Sequence, residues 1–403
     1  MFEWKKISLG EICKTNTTSY SNKEGWKFVN YLDTGSVTGN EIEEIQYIDL
    51  TAEKLPSRAK RKVRYNSIVY STVRPNQLHY GIIKEQPENF LVSTGFTVID
   101  VDENVADAEY VYYWLIQSVV TEQLQALAEQ STSAYPSIKS SDLEALELEL
   151  PPLKIQKMIA GILVALDKKR KNNTQINRNL LEQLSALYDE LSTREEWEYI
   201  AIGDLAEKIA MGPFGSNIKV STFVPEGIPI ISGNHLRGYF LEEPSYNYIT
   251  EQHAEKLKNS NVYPKDIIFT HAGNIGQVAM IPDGCEYERY VISQRQFYLR
   301  CNTGKALPEY VTLFFHSDEG QHELLSYANQ VGVPSIAQPA TNLKKIKLPL
   351  PPIETQREWM QIVAPMIDMY QNTSLENKSL VTLRDSLLPN LMSGELDVCD
   401  LEI

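Results

Sequence analysis

The sequence of 403 residues contains an internal duplication, and its two copies stand 200 residues apart. Leu148–Pro152 reads Leu-Glu-Leu-Pro-Pro, and Leu348–Pro352 reads Leu-Pro-Leu-Pro-Pro. Gln156 recurs in the same register as Gln356. A chain of this length also exceeds what one hydrophobic core usually fills. The duplication therefore predicts two related globular units that present two similar surfaces.

The globular parts of the two halves are also related to each other. Matching segments are Trp4-x-x-Ile7-x-x-Gly10-Glu11 with Trp197-x-x-Ile200-x-x-Gly203-Asp204, Ile68–Ser71 with Ile267–Thr270, and Pro136–Ile138 with Pro334–Ile336. Turn residues separate short runs that are typical of strands. These runs are Ser67–Ser71, Ser93–Val101, Ile228–Ile231 and Asp266–Thr270. Helical stretches are expected at about 108–130 and 308–329, and the mixture predicts an α+β fold.

A long amphipathic helix is predicted after each globular half. From Pro152 to Leu191, apolar residues recur mostly at spacings of three and four, which is typical of a helix with one apolar face. Such a helix runs about 38 residues, or roughly 57 Å. A similar pattern begins at Pro352. Because a narrow apolar seam needs a second helix to cover it, we expect the two helices to pair as an antiparallel coiled coil about a pseudo-two-fold axis.

The centres of both helical patterns are polar. Asn172–Thr174 and Asn177 lie at the centre of the first pattern, and Asn372–Ser374 and Asn377 lie at the centre of the second. If equal helices pack antiparallel, their centres meet, and asparagine would face asparagine. Buried asparagine in a seam fixes register at some cost in stability. The alternative is a solvated weak point where both helices bend.

The charge distribution contains one basic segment in an acidic chain. The formal net charge is −15 and the sequence pI is about 5.0, which disfavours nonspecific binding to nucleic acid. Local phosphate contacts can still give affinity. The segment 54–64 has six basic residues and no acidic one, as expected of a phosphate-binding track. The alternative is a solvated charged loop.

Several classes of site and location are disfavoured by the sequence. The four cysteines lie far apart without a C-x-x-C spacing, which favours reduced thiols in the cytoplasm. The N-terminus lacks the pattern of a signal peptide, and no run is long enough for a membrane span. Neither a phosphate-binding loop, nor a cofactor-binding glycine turn, nor a metal-ligand spacing is present. The chain is therefore expected to bind rather than to catalyse.

Taken in order, the motifs resemble one family. The chain is similar to the specificity (S) subunits of type I restriction-modification systems over nearly its whole length. The residues that carry this resemblance are the two Leu-x-Leu-Pro-Pro-x-x-x-Gln segments at 148–156 and 348–356, Gly212-Pro-Phe-Gly-Ser-Asn217, Gly227-Ile-Pro-Ile-Ile-Ser-Gly-Asn234, Tyr248-Ile-Thr250 and Lys265-Asp-Ile-Ile-Phe-Thr270.

The resemblance implies a domain order and a set of partners. Two target-recognition domains at 1–150 and 195–350 would alternate with conserved spacer helices at 151–194 and 351–403. Each domain would read one half of a split, asymmetric site on double-stranded DNA, and the helices would set the gap. The chain itself would be noncatalytic and bind two modification (methyltransferase) subunits that use S-adenosylmethionine. Restriction subunits that use ATP and Mg²⁺ are possible further partners.

Contact residues are expected among basic and amide side chains in loops, because these groups hold phosphates and read base edges. The predicted DNA-binding residues are Lys60, Arg61, Lys62, Arg64 and Arg74 in the first domain, and Ser216, Asn217, Lys219, Asn234, Arg237, Gln294 and Arg295 in the second. Half-sites one helical turn apart, roughly 34 Å, suit two domains on such rods. The alternative function is an assembly scaffold that reads no DNA. A self-sufficient nuclease or methyltransferase is disfavoured by the missing motifs.

Overall fold

The chain forms two compact units in the computed structural model. The structure describes residues 4–131, 135–193, 197–215, 217–242, 245–329 and 332–400. Unit 1 comprises Met1–Asn173 and Leu375–Ile403, and unit 2 comprises Thr174–Ser374. Each of the two long helices therefore contributes one half to each unit.

Unit 1 contains two four-stranded sheets. In hydrogen-bonded order, the first sheet has strands Cys13–Thr15, Phe96–Val101, Ile68–Ser71 and Tyr80–Ile82, and the second has Gln46–Asp49, Phe28–Leu32, Phe90–Ser93 and Ala59–Arg61. Two-stranded ladders join Lys5–Ser8 to Glu147–Leu150 and Val37–Thr38 to Glu41–Ile42. Helices of this globular part are Leu9–Ile12, Ala108–Leu115, Ser118–Glu129 and Ser140–Glu144.

Unit 2 repeats this plan. Its first sheet has strands Ala206–Met211, Gln296–Cys301, Ile267–Thr270 and Val278–Met280, and its second has Asn247–Ile249, Ile228–Ile231, Tyr290–Ile292 and Asn261–Val262. Ladders join Tyr199–Ala201 to Lys347–Pro349 and Ala328–Asn329 to Ser335–Ile336. Its helices are Ile202–Leu205, Glu251–Lys256, Pro308–His316, Asp318–Leu325 and Pro339–Leu343. The predicted α+β class and internal repeat are confirmed.

Some predicted elements are divided in the structure. The stretch 108–130 is two helices, because Gln117 is extended at ψ 143°. The stretch 308–329 is also interrupted, at Ser317, whose Oγ accepts a hydrogen bond from Gly320 N and so starts the next helix. The run Ser93–Val101 contains parts of two strands that belong to different sheets. Periodicity alone does not locate such breaks.

The repeated Leu-x-Leu-Pro-Pro-x-x-x-Gln segments join the last strand of each unit to its long helix. Gln356 is fully buried. Its Oε1 accepts a hydrogen bond from Leu307 N at 2.9 Å, and its Nε2 donates to Pro351 O at 2.7 Å. Gln156 makes the same pair of bonds, with Asp107 N and Pro151 O. The glutamine thus fixes the start of each long helix to the neighbouring loop.

In unit 1 the two long helices pack antiparallel. The first, Leu153–Thr193, and the second, Ile353–Met392, are both uninterrupted. Ile155, Ile159 and Leu163 of the first helix share a core with Leu388, Leu391 and Met392 of the second. Further along, Asp167 Oδ1 pairs with Arg384 Nη1 at 3.0 Å. Later residues of the first helix thus contact earlier residues of the second, as antiparallel packing requires.

In unit 2 the remaining halves also pack antiparallel. Leu184, Tyr188 and Leu191 share a core with Trp359, Val363 and Ile367, and Trp359 Nε1 donates a hydrogen bond to Leu187 O. The predicted long, antiparallel helices are therefore confirmed within each unit. No helix among the described residues is apolar enough over a sufficient length to cross a membrane.

The helix centres are polar, and Asn173 and Asn177 form hydrogen bonds with residues of other types; that asparagine packs opposite asparagine stays a prediction. In unit 1, Asn173 is fully buried and its Nδ2 donates to Glu376 Oε2 at 2.7 Å. In unit 2, Asn177 Nδ2 donates to Ser374 Oγ at 2.9 Å, and Thr373 Oγ1 donates to Asn177 Oδ1. An amide donor finds a stronger acceptor in a carboxylate than in a second amide, and the register provides Glu376.

Candidate nucleic-acid interface

Several loops of unit 2 meet around the turn Ser293–Gln296. Ser293 N donates to Ile231 O, and Gly212 N donates to Gln296 O, both at 2.8 Å. His271 N donates to Arg295 O at 2.9 Å. The turn therefore contacts the ends of three strands and the loops that follow them. We call this surface, formed by 212–215, 217–219, 232–237, 271–277 and 293–296, the loop edge of unit 2.

Buried polar groups and glycines hold the loop edge of unit 2 in place. Gln296 is 1% exposed, and its side chain bonds Ser293 Oγ and Thr270 Oγ1. A Cβ on Gly212 would lie 2.0 Å from Ser293 O, and one on Gly233 would lie 3.0 Å from Gln277 Oε1. At Gly212 the neighbouring atom belongs to the backbone, and only glycine permits so close an approach. The loops are thus positioned by a rigid support, as a recognition surface requires.

Unit 1 has the same hydrogen-bond pattern at its own loop edge. Thr72 N donates to Gly95 O at 2.9 Å, as His271 N does to Arg295 O. Arg74 N donates to Pro136 O at 3.0 Å, as Gly273 N does to Pro334 O at 2.9 Å. Ile138 N bonds Thr72 O, as Ile336 N bonds His271 O. We call the surface formed by 72–79, 94–95 and 135–138 the loop edge of unit 1.

The basic segment 54–64 is partly neutralised by contacts inside unit 1. Arg61 donates from Nη1 to Asn16 Oδ1 and Phe96 O, and burial lowers the pKa of its guanidinium. Lys62 pairs with Glu24 and lies 5.0 Å from the Trp26 ring. Arg64 donates to Val101 O at 2.8 Å. Lys60, by contrast, is exposed.

Most of the remaining predicted residues lie in exposed positions, whereas Arg74 is half-buried. Asn217, Lys219, Asn234, Arg237 and Gln294 are exposed. Asn217 Nδ2 donates to Phe214 O at 2.8 Å, which ties the end of that loop back to its tip. Ser216 lies outside the described residues. Of this group, the structure brings Asn234 and Gln294 to the same turn through the bond between Ser293 N and Ile231 O.

Three side chains on these surfaces escaped sequence reasoning. Tyr135 is 60% exposed and Phe214 is 75% exposed, each within a loop edge. Arg58 is exposed, and its backbone O accepts a bond from Thr94 N at 2.8 Å, so the basic segment reaches the loop edge of unit 1. An aromatic residue beside proline in a turn was the available signal for Tyr135 and Phe214. Exposed aromatic groups can stack on bases or contact thymine methyls.

The outer face of the second long helix carries exposed apolar side chains. In unit 2, Ile362 is 59% exposed and Met369, seven residues on, is 46% exposed. In unit 1, Leu375 is 49% exposed and Leu383 is 46% exposed. Ile362 and Met369 are seven residues apart, a spacing that is also found where a helix packs on another helix.

The described ranges hold no cluster of three or more His, Cys, Asp or Glu side chains arranged to bind a metal ion. Burial raises the pKa of the Cys13 thiol to about 12, and burial also raises the pKa of Cys301. A thiol that remains protonated is a poor nucleophile, so both cysteines are core residues.

The chain thus consists of two repeated α+β units, each with exposed basic and amide side chains on its loops and with parts of both long helices. The family model for the type I restriction modification DNA specificity domain matches residues 1–182 and again 194–383. The chain belongs to this family and contains two copies of its domain.

Relatives agree with this assignment. The chain is 30% identical over 188 residues to the type I restriction enzyme HindI specificity subunit of Haemophilus influenzae, a match that covers 47% of this chain and 40% of that protein. It is 23% identical to the MjaIX specificity subunit of Methanocaldococcus jannaschii, over 98% of this chain and 94% of that one.

A solved structure has a similar fold. The type I restriction-modification system S subunit from M. genitalium superposes with a TM-score of 0.60 at 17% identity, covering 97% of this chain and 96% of that one. At this level of identity the likeness concerns the fold.

Proposed function

We propose that this chain is the DNA-reading subunit of a type I restriction-modification complex. Each loop edge would bind one half of a split site on double-stranded DNA. The observation that carries the proposal is the repeated hydrogen-bond pattern, Thr72 to Gly95 in one unit and His271 to Arg295 in the other. Both edges present cationic or amide side chains, as expected for groups that read base edges.

Affinity would come from a small number of local contacts. The chain carries a formal net charge of −15, so long-range attraction to DNA is weak. The affinity for DNA must therefore come from exposed cations near the loop edges. Lys60, Arg58, Lys219 and Arg237 are exposed. Each phosphate contact releases counterions, so binding should fall with salt by a slope of roughly 0.9 per contact.

The chemistry would belong to partner subunits. The exposed apolar residues Ile362 and Met369 in unit 2, and Leu375 and Leu383 in unit 1, suit helices of two modification subunits. Those subunits would bind S-adenosylmethionine and methylate adenine. Restriction subunits, where present, would use ATP and Mg²⁺. This chain would be noncatalytic, and its long helices would set the unread gap between half-sites.

Co-expression with a type I modification subunit from the neighbouring genes tests the proposal. Methylated adenines are then mapped across the host genome, with the modification subunit alone as control. We expect a split, asymmetric consensus that requires this chain. An intact complex without any sequence preference would favour the assembly scaffold. Methylation or cleavage by the isolated chain would contradict a noncatalytic role.

A further inference from the structure

Arginine and glycine occupy equivalent positions in the two units, but in opposite order. Arg74 and Gly273 each donate a backbone hydrogen bond to the proline of the last loop, Pro136 or Pro334. Gly95 and Arg295 each accept a backbone hydrogen bond, Gly95 from Thr72 and Arg295 from His271. Thr72 and His271 follow the equivalent strands Ile68–Ser71 and Ile267–Thr270. Unit 1 therefore has arginine where unit 2 has glycine, and glycine where unit 2 has arginine.

The arginine of unit 1 holds an unfavourable backbone conformation. Arg74 has φ 49°, in the left-handed region, and Gly273 at the equivalent position has φ 88°. Glycine adopts this region freely, but a side chain with a Cβ does not. The guanidinium of Arg74 lies 4.9 Å from the ring centroid of Tyr135. This contact orients the guanidinium fork. Strain retained at an exposed loop points to a function.

The arginine of unit 2 lies beside the position that is equivalent to Arg74. A Cβ built on Gly273 would lie 3.5 Å from Nη1 of Arg295. The Arg295 guanidinium is therefore in contact with residue 273, although Arg295 itself belongs to the turn before the next strand. In unit 1 the arginine instead belongs to the loop that follows Ile68–Ser71.

Neither guanidinium is neutralised within its own unit. Among the described residues, no carboxylate forms an ion pair with Arg74 or Arg295. By contrast, Arg300 pairs with Asp266 and Arg384 with Asp167. An oriented, unpaired guanidinium fork is suited to a partner with two adjacent acceptors. In the major groove, guanine O6 and N7 form such a pair, and arginine is the residue that binds them most often.

We propose that Arg74 and Arg295 are equivalent specificity-determining residues, each reading one guanine in its own half-site. This inference rests on the proposed function, because it requires that the loop edges bind DNA. It adds that each unit has one arginine on the pair of loops that these equivalent backbone hydrogen bonds join, although the arginine stands on a different loop in each unit. The two half-sites should therefore each contain a guanine whose recognition depends on one arginine.

Single substitutions test the assignment in the complex with the modification subunit. Arg295→Ala should relax the consensus at one guanine of one half-site, with a loss of discrimination there of about 10- to 100-fold. Arg74→Ala should do the same in the other half-site. Arg295→Lys retains the charge but lacks the fork, so it should relax that position and keep the salt dependence. Arg357→Ala, at an exposed position of the second long helix, is the matched control and should change nothing.

A reciprocal exchange provides a rescue. Arg295→Gly combined with Gly273→Arg moves the guanidinium to the other loop of unit 2, as in unit 1. We expect the double variant to regain the guanine preference that Arg295→Gly alone loses. In unit 1 the corresponding exchange, Arg74→Gly with Gly95→Arg, also needs Thr34→Ser, because a Cβ on Gly95 would lie 2.8 Å from Thr34 Cγ2.

The outcomes separate this inference from the proposed function. A uniform loss of affinity on all sequences, with a salt slope smaller by about 0.9 and an unchanged consensus, would mean phosphate contacts and overturn the inference. The inference would also be wrong if the arginine variants melt like the wild type and give the same map of methylated adenines. If Arg295→Lys lowers the melting temperature but leaves the guanine preference unchanged, the role of Arg295 is structural and the inference is wrong. Absence of a split consensus in the wild-type map would instead contradict the proposed function.

Discussion

Lys60 and Arg61 are adjacent in the sequence but have different environments. The guanidinium of Arg61 is bonded to Asn16 Oδ1 and Phe96 O within unit 1, whereas the side chain of Lys60 is exposed. A half-buried cation bonded in this way holds its acceptors in place and stabilises the fold. Charge alone therefore does not distinguish a stabilising arginine from a lysine that is available to DNA.

This difference gives a matched pair of variants. Arg61→Ala should lower the free energy of unfolding by about 1–3 kcal/mol, because Asn16 Oδ1 and Phe96 O each lose a charged donor. Lys60→Ala should change it by less than about 0.5 kcal/mol, yet weaken DNA binding and reduce its salt slope by about 0.9. Urea unfolding and binding at several salt concentrations measure both. Equal stability of the two variants would contradict the assigned roles.

Gln356 offers a second test at this scale. Its buried amide joins Leu307 N and Pro351 O. Gln356→Ala would leave the Leu307 N–H without its partner, and we expect a loss of about 1–3 kcal/mol in unfolding free energy. Gln361→Ala, exposed on the same helix, is the control and should be nearly neutral. The measurement is chemical denaturation. A neutral Gln356 variant would show that the motif does not fix the helix start.

At the scale of the long helices, the polar centre sets pairing at a cost in stability. Asn173 is fully buried, and its Oδ1 has no hydrogen-bond partner among the described residues. Asn173→Leu should therefore raise the unfolding free energy by about 1 kcal/mol while weakening register. Asn172 is one residue earlier and exposed, so Asn172→Leu should change neither the unfolding free energy nor the register. Thermal melting and cross-linking of cysteines placed at shifted positions test this. A lower melting temperature for Asn173→Leu would contradict it.

The same contact predicts a pH dependence. The hydrogen bond from Asn173, with that from Lys169, lowers the pKa of Glu376 below its usual 4.5. A carboxyl group with a lowered folded pKa stabilises the fold above its unfolded pKa, and this contribution is lost as pH falls through the folded value. Melting temperature should thus fall more steeply below about pH 4.5 in the wild type than in Glu376→Gln. If the melting temperatures of the wild type and Glu376→Gln fall equally at low pH, Glu376 makes no such contribution to stability.

At the scale of the whole molecule, residues far apart in sequence complete one core. Unit 1 includes Leu375–Ile403, and Leu391 is fully buried among residues of the first long helix and the globular part. Leu391→Ala should cost about 2–5 kcal/mol. Protease cleavage should then begin within 4–173, while unit 2 stays resistant. Leu383→Ala, at a 46% exposed leucine, is the control. Cleavage that starts in unit 2 would contradict the division into units.

The sequence by itself determined the duplication, the α+β class and the two long helices, because periodicity and repeated motifs are local properties of the chain. Tertiary structure alone decided which basic residues remain available. The acceptors of Arg61 lie at positions 16 and 96, and no local pattern indicates them. It also decided that Arg295 lies beside residue 273, the position equivalent to Arg74, since two loops distant in sequence meet only when the sheet brings their strands together.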